Sequence, residues 1–154
     1  MKTRAIVMSL ALCFVGAAVG LADDPMMGTW KMNEAKSKLS PGVAKNTTVV
    51  YEAMGDNVKV TIEGTDSDGK PTHNEWTGKF DGKDYPVTGD PSSDTRSLKK
   101  IDGRTLTFTV KKGDKIITTG RIVVSADGKT RTVTTSGSDS QGKNYSSSAL
   151  YDKQ

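Results

Sequence analysis

Thr105-Leu106-Thr107-Phe108-Thr109-Val110 alternates a large apolar residue with a threonine over six positions. Successive side chains of a strand point to opposite faces, so Leu106, Phe108 and Val110 share one face and the threonines the other. One apolar face and one polar face is the pattern of an antiparallel sheet with one side buried. Asp102-Gly103-Arg104 precedes the stretch and Gly113-Asp114-Lys115 follows it. Both read as tight turns, because glycine accepts the positive φ that such turns need. The same reading extends to Val58, Val60 and Ile62, which alternate with Lys59, Thr61 and Glu63, and to Trp76 and Phe80, which share a face.

Turn signals recur on both sides at Gly55-Asp56-Asn57, Asp68-Gly69-Lys70, Asp81-Gly82-Lys83, Gly89-Asp90-Pro91, Asp127-Gly128-Lys129 and Gln141-Gly142-Lys143. Between them lie candidate strands at 46–54, 57–66, 72–80, 83–89, 94–101, 104–111, 115–125, 129–138 and 143–152, and 28–32 makes ten. Pro86 cannot donate a ladder bond, so 83–89 is expected to be irregular. Gly120 is a candidate bend in 115–125. Asn33 to Lys38 is long enough for one helical turn before Ser40-Pro41-Gly42 breaks the chain. Consecutive hairpins make an up-and-down meander whose turns fall alternately at two ends. An open sheet of that size would leave two exposed edges, and closure removes them. The expected fold is therefore all-β: one antiparallel meander of about ten strands, closed into a barrel or flattened clam, with at most one short helical turn.

The start of the chain reads differently. Lys2 and Arg4 precede an apolar run from Ala5 to Val19, and Gly20-Leu21-Ala22 supplies small residues before Asp23. That is the pattern of a secretory signal over residues 1–22, with the barrel domain at 23–154. The run is shorter than the roughly 20 residues a membrane-spanning helix needs, so no stable membrane anchor is expected after cleavage. Export places the protein in the periplasm, or outside the cell where there is no outer membrane. Cys13, the single cysteine, lies inside the run, so the mature chain has no thiol chemistry and no disulfide.

Loss of Lys2 and Arg4 lowers the formal net charge from +4 to +2. Basic residues occur only as pairs, such as Lys99-Lys100 and Lys111-Lys112, without interleaved aromatics, so no nucleic-acid partner is expected. Leucine is scarce after the leader (Leu39, Leu98, Leu106, Leu150), while threonine and valine are plentiful. Beta-branched residues suit a pleated, half-buried surface, in line with the all-β reading.

Gly28-Thr29-Trp30-Lys31 opens the folded part, and Ala149-Leu150-Tyr151-Asp152 closes it. Together with a ten-strand meander, these motifs resemble the lipocalin and fatty-acid-binding superfamily. The longer opening through Met32-Asn33, Ala35-Lys36-Ser37-Lys38 and Pro41-Gly42, with Asp81-Gly82-Lys83-Asp84-Tyr85-Pro86-Val87 and Tyr151-Asp152-Lys153-Gln154, resembles a group of small secreted bacterial lipocalin-like proteins of unsettled function. The resemblance implies a barrel with an internal cavity for an apolar ligand. It also marks departures. Fatty-acid-binding proteins carry an arginine two residues before the final-strand tyrosine, where it holds the ligand carboxylate; here that position is Ala149. Residues 33–45 leave no room for their two-helix lid, which implies an open mouth. Arg121 is the candidate substitute anchor, although alternation turns it outward if Ile122 and Val124 point inward, unless Gly120 introduces a bulge.

Candidate cavity residues are accordingly Trp30, Val60, Ile62, Trp76, Phe108, Arg121 and Tyr151. Ordinary core packing explains the same large side chains equally well. His73, the single histidine, falls in register with Glu75, Thr77 and Lys79 on the polar face, so neither a catalytic triad nor a transition-metal site is expected. Asp66-Ser67-Asp68-Gly69 has the start of a calcium loop without its later ligands, and reads as a hairpin turn. No cofactor is expected. Three functions remain open: a non-catalytic carrier of a small apolar or amphipathic molecule, an envelope interaction or structural protein with a filled barrel and an unknown protein partner, and an enzyme. A cavity above about 300 Å³ favours the first.

Overall fold

Ten strands follow one another along the chain, each antiparallel to its neighbours: β1 Gly28–Lys38, β2 Lys45–Met54, β3 Asn57–Thr65, β4 Pro71–Gly78, β5 Tyr85–Thr88, β6 Thr95–Asp102, β7 Thr105–Lys112, β8 Lys115–Val124, β9 Thr130–Ser138 and β10 Asn144–Lys153. The computed structural model describes residues 20–139 and 141–154. The apolar run 5–19, with Cys13, and so most of the expected leader, lies outside the described residues. Strand order around the sheet is sequential, and β1 pairs with β10 as well as β2, which closes the barrel. Among the described residues no helix is long and apolar enough to cross a membrane.

The Asp-Gly turns behave as glycine chemistry requires. Gly69, Gly82 and Gly128 have φ of 81°, 80° and 71°. An aspartate one or three residues before the glycine closes each turn: Asp66 Oδ1 accepts from the Asp68 and Lys70 amides at 2.9 Å each, and Asp81 and Asp127 accept from the Lys83 and Lys129 amides. The stretch 66–69 is therefore a hairpin turn held by its own carboxylate.

One sequence expectation about the strands needs correction. Asn33 to Lys38 is not a helical turn; it continues β1. The register to β10 jumps between Asn33↔Leu150 and Lys38↔Ser148, so β1 bulges there. Ser37 Oγ donates to the Asn33 carbonyl at 2.7 Å and accepts from the Leu150 amide at 2.9 Å. A side chain thus replaces the missing ladder bonds, and the local bend that suggests a helical turn is accommodated inside a strand. The short helical turn lies elsewhere, as a 3-10 turn at Leu21–Asp23.

Strand β5 is short, as Pro86 requires. It pairs with β4 only at Glu75↔Thr88 and Trp76↔Val87, and with β6 only at Tyr85↔Arg96 and Pro86↔Thr95. Phe80–Gly82 covers the rest of the β6 edge, with Gly82 N donating to Leu98 O at 2.9 Å and Lys100 N to Phe80 O at 3.1 Å. The barrel is closed but thinly laced here.

The core sits at one end. Trp30, Met26, Leu106, Val58 and Val124 are fully buried, with Trp76 and Val60 nearly so. The segment before β1 folds under this end as a floor. Trp30 Nε1 donates to the Met26 carbonyl at 2.9 Å, and Asp24 accepts from the Met26 amide at 3.0 Å while pairing with Lys100. Each fully buried apolar side chain of this size contributes about 1.5–3 kcal/mol. The other end carries the β1–β2, β3–β4, β5–β6, β7–β8 and β9–β10 turns, and all but the β7–β8 turn border an opening.

Candidate functional site

Side chains that point inward change in size along the barrel. On β10 the inward series from floor to mouth is Tyr151, Ala149, Ser147, Tyr145; on β9 it is Arg131, Val133, Thr135; on β8 it is Val124, Ile122, Gly120, Thr118. Large residues fill the floor, and small or polar ones stand above it. The interior of a ten-strand barrel is too wide for alanine, serine and glycine to fill, so a void is left. That void is a cavity of about 500 Å³.

Its wall is apolar at mid-height, where Val60, Leu98, Phe108, Ile122 and Val133 face it. Phe108 owes its position to Gly120, directly across the β7–β8 ladder. A Cβ on residue 120 would lie 2.3 Å from the Phe108 ring and 2.6 Å from the Thr134 carbonyl. Gly120 leaves the space into which the ring fits. Toward the mouth, Leu39, Val43, Ile117 and Tyr145 line the opening. Ile117 reaches it because the β7–β8 register slips between Val110↔Thr118 and Lys111↔Ile116, a bulge that adds one residue to β8.

Two arginines stand in this wall. Arg131 is 2% exposed, and its guanidinium carbon lies 4.9 Å from the Trp30 ring centroid, 5.0 Å from Tyr51 and 4.8 Å from Tyr151. Its Nε and Nη1 are buried without a hydrogen-bond partner. The ring faces around it supply the compensating negative potential. Tyr151 donates to the Asn46 carbonyl at 2.7 Å, and burial pushes its phenol up to about 12, so it stays neutral. Arg96, on β6, also faces the cavity and donates from Nη2 to Asn74 Oδ1 at 3.3 Å. Burial pushes its guanidinium below the ordinary arginine value, with Tyr51 and Asp90 opposing that shift. By area Arg96 is only half-buried. Accessible surface on a strongly desolvated charge fits a group that faces an internal cavity rather than bulk water.

The candidate residues separate into three groups. Val60, Ile62, Phe108 and Tyr151 line the cavity. Trp30 and Trp76 belong to the packed core: Trp76 is 1% exposed, donates to the Arg96 carbonyl at 2.8 Å and meets Tyr85 edge-on at 5.7 Å. Arg121 is placed outside. It is exposed, Ile122 beside it is buried, and the β8–β9 register runs unbroken through Gly120, so no bulge turns it inward. It is not a cavity anchor. The arginines that do face the cavity, Arg96 and Arg131, lie in phase with Leu98 and Val133. Simple alternation on strands 94–101 and 129–138 was the signal that marks them.

The outer wall carries the histidine. His73 is half exposed, with Nδ1 on Glu63 and Nε2 3.6 Å from Glu75, which also pairs with Lys59 at 2.9 Å. The Glu63 hydrogen bond chiefly raises the His73 pKa. Among the described residues no group of three His, Cys, Asp or Glu side chains is placed to hold a metal ion.

No family model matches the chain, and no curated protein matches it. Among solved structures it is similar to EF1p2_mFAP2b bound to DFHBI, at 11% identity and TM-score 0.47 over 84% of this chain and 94% of that one. It is likewise similar to a redesigned beta barrel, at 13% identity and TM-score 0.45 over 88% and 97%. The barrel itself is established by strand order and register.

Proposed function

We propose that the protein is an exported, non-catalytic carrier that holds a small amphipathic molecule inside its barrel. The observation that carries this reading is the cavity of about 500 Å³, apolar at mid-height and reaching the mouth. Volumes of roughly 300–1,000 Å³ with mostly apolar walls and a few polar groups suit small ligands. A filled barrel that works only through its outer face would not need the small inward residues Ala149 and Ser147. The large exposed apolar residues Met54, Ile101, Ile116 and Val123 lie on β2, β6 and the two ends of β8, which offers little support for a docking face. A non-catalytic role is supported by the position of His73, whose ring meets two glutamates on the outer wall.

Native mass spectrometry of the exported protein, before and after denaturation, tests the proposal. An added mass that leaves on denaturation is the expected result and gives the ligand's mass. A bare polypeptide whose tryptophan fluorescence ignores a panel of lipids and apolar dyes overturns it.

A further inference from the structure

Charge is distributed unevenly along the cavity. Three carboxylates near its mouth keep their charge but are held in place by neutral donors, and Asp90 is close enough to Arg96 to favour its cationic form. Asp66 closes its own turn, Asp139 Oδ1 accepts from the Gln141 and Lys143 amides at 2.9 and 2.8 Å, and Asp90 accepts from Ser92 and Ser93. Deeper in, Arg96 and Arg131 carry two positive charges. Among the described residues neither has a carboxylate within 4.0 Å. An arginine keeps its proton even when desolvated, so both remain cations. Unpaired cations in a low-dielectric site are costly, and a bound anion would relieve that cost.

The two arginines play different parts. Arg131 is enclosed by three rings, and its buried Nε and Nη1 are sealed from the void. Its charge therefore acts on the cavity mainly from behind the wall. Arg96 has accessible surface in the cavity, and Asn74 engages only one of its nitrogens. Tyr51 links the pair, since its ring packs on the Arg131 guanidinium and it also lies close enough to Arg96 to influence its charge.

We propose that the cavity takes an amphiphile with one oxyanionic head group, such as a carboxylate or sulfonate, seated on the free face of Arg96 with the Arg131 charge behind it. The apolar part of that molecule lies against Leu98, Phe108, Ile122 and Val133. A planar guanidinium offers an oxyanion two parallel N–H bonds, and charge-assisted bonds of that kind are about twice as strong as neutral ones. The proposal rests on the carrier reading. Its anchor is on β6, not at Ala149 of the closing strand and not at Arg121.

The test uses two dyes with one ring skeleton, anionic 1-anilinonaphthalene-8-sulfonate and neutral N-phenyl-1-naphthylamine, titrated into delipidated exported protein. The anionic dye is expected to bind about tenfold tighter. Arg96→Gln should cut that ratio to under about threefold, and Arg96→Lys should leave it between those two values, because the charge remains while the two parallel bonds are lost. Thermal melts of both variants establish that they fold. Equal binding of the two dyes, or a ratio that survives Arg96→Gln, overturns the anion site and leaves the carrier reading standing. Failure of both dyes to bind the wild-type protein overturns the carrier reading too.

Discussion

The two ends of the barrel are built from the same strands with the same alternation, yet one is solid and the other hollow. At the floor, Trp30, Met26, Val58, Leu106 and Val124 exclude water almost completely. Two to four residues nearer the mouth, Phe108 and Gly120 on β7 and β8, with Thr135 and Ser147 on β9 and β10, stand around empty space or line its edge. Side-chain volume at inward positions, not strand pattern, separates a core from a binding cavity. The floor supplies stability, and the upper half leaves room for function because its residues are too small to meet across the interior.

The sharpest way to break this comparison is to remove the floor's largest side chain. Trp30→Ala deletes a fully buried ring together with the bond from Nε1 to the Met26 carbonyl and the contact with Arg131. It should cost about 3–5 kcal/mol, read as a large drop in the urea midpoint. A loss below about 1 kcal/mol would mean that the floor is not where the stability lies. Next in size is a pair of changes on one strand. Leu106→Ala, at the floor, should cost about 2–5 kcal/mol. Phe108→Ala removes more atoms but only enlarges an existing void, so it should cost less than Leu106→Ala. The reverse order, measured by denaturant titration, would show that the mid-height wall is packed as tightly as the floor.

The smallest effect is expected on the outer wall, which belongs to neither end. His73 is raised in the folded state, chiefly by its hydrogen bond to Glu63. A raised histidine contributes stability below its unfolded pKa near 6.5 and loses that contribution as pH climbs through the higher folded value. An NMR titration should therefore find His73 above 6.5, and Glu63→Gln should bring it down. Dye affinity should not follow this titration. A binding curve that tracks the His73 charge would tie the outer wall to the cavity and undo the separation drawn here.

Much of the fold was legible because strand alternation and Asp-Gly turns are local signals. Leu106, Phe108 and Val110 declare their face without knowledge of any partner strand. What misled was equally local: Asn33–Lys38 carries polar residues that suit a turn, but Leu150 and Ser148 on the far end of the chain hold it in the sheet. The cavity residues were partly legible. Val60, Ile62, Phe108 and Tyr151 follow from alternation. Trp30 and Trp76 have the right phase but the wrong height, and height depends on the tilt and register of the closed barrel. Arg121 is excluded by its phase, while Arg96 and Arg131 have the inward phase despite residue types that usually face water.

An antiparallel meander, its strand count, its two sets of turns, the need to close and the phase of its apolar residues were legible in residue order alone. These follow from backbone geometry that repeats every two residues. The register of that closure, the sealing of one end by the segment before β1, and the meeting of two arginines in one cavity with no carboxylate in ion-pair contact came only with the tertiary fold. Those features depend on which residues meet across the interior, and that is fixed by register, tilt and closure acting over the whole length of the chain.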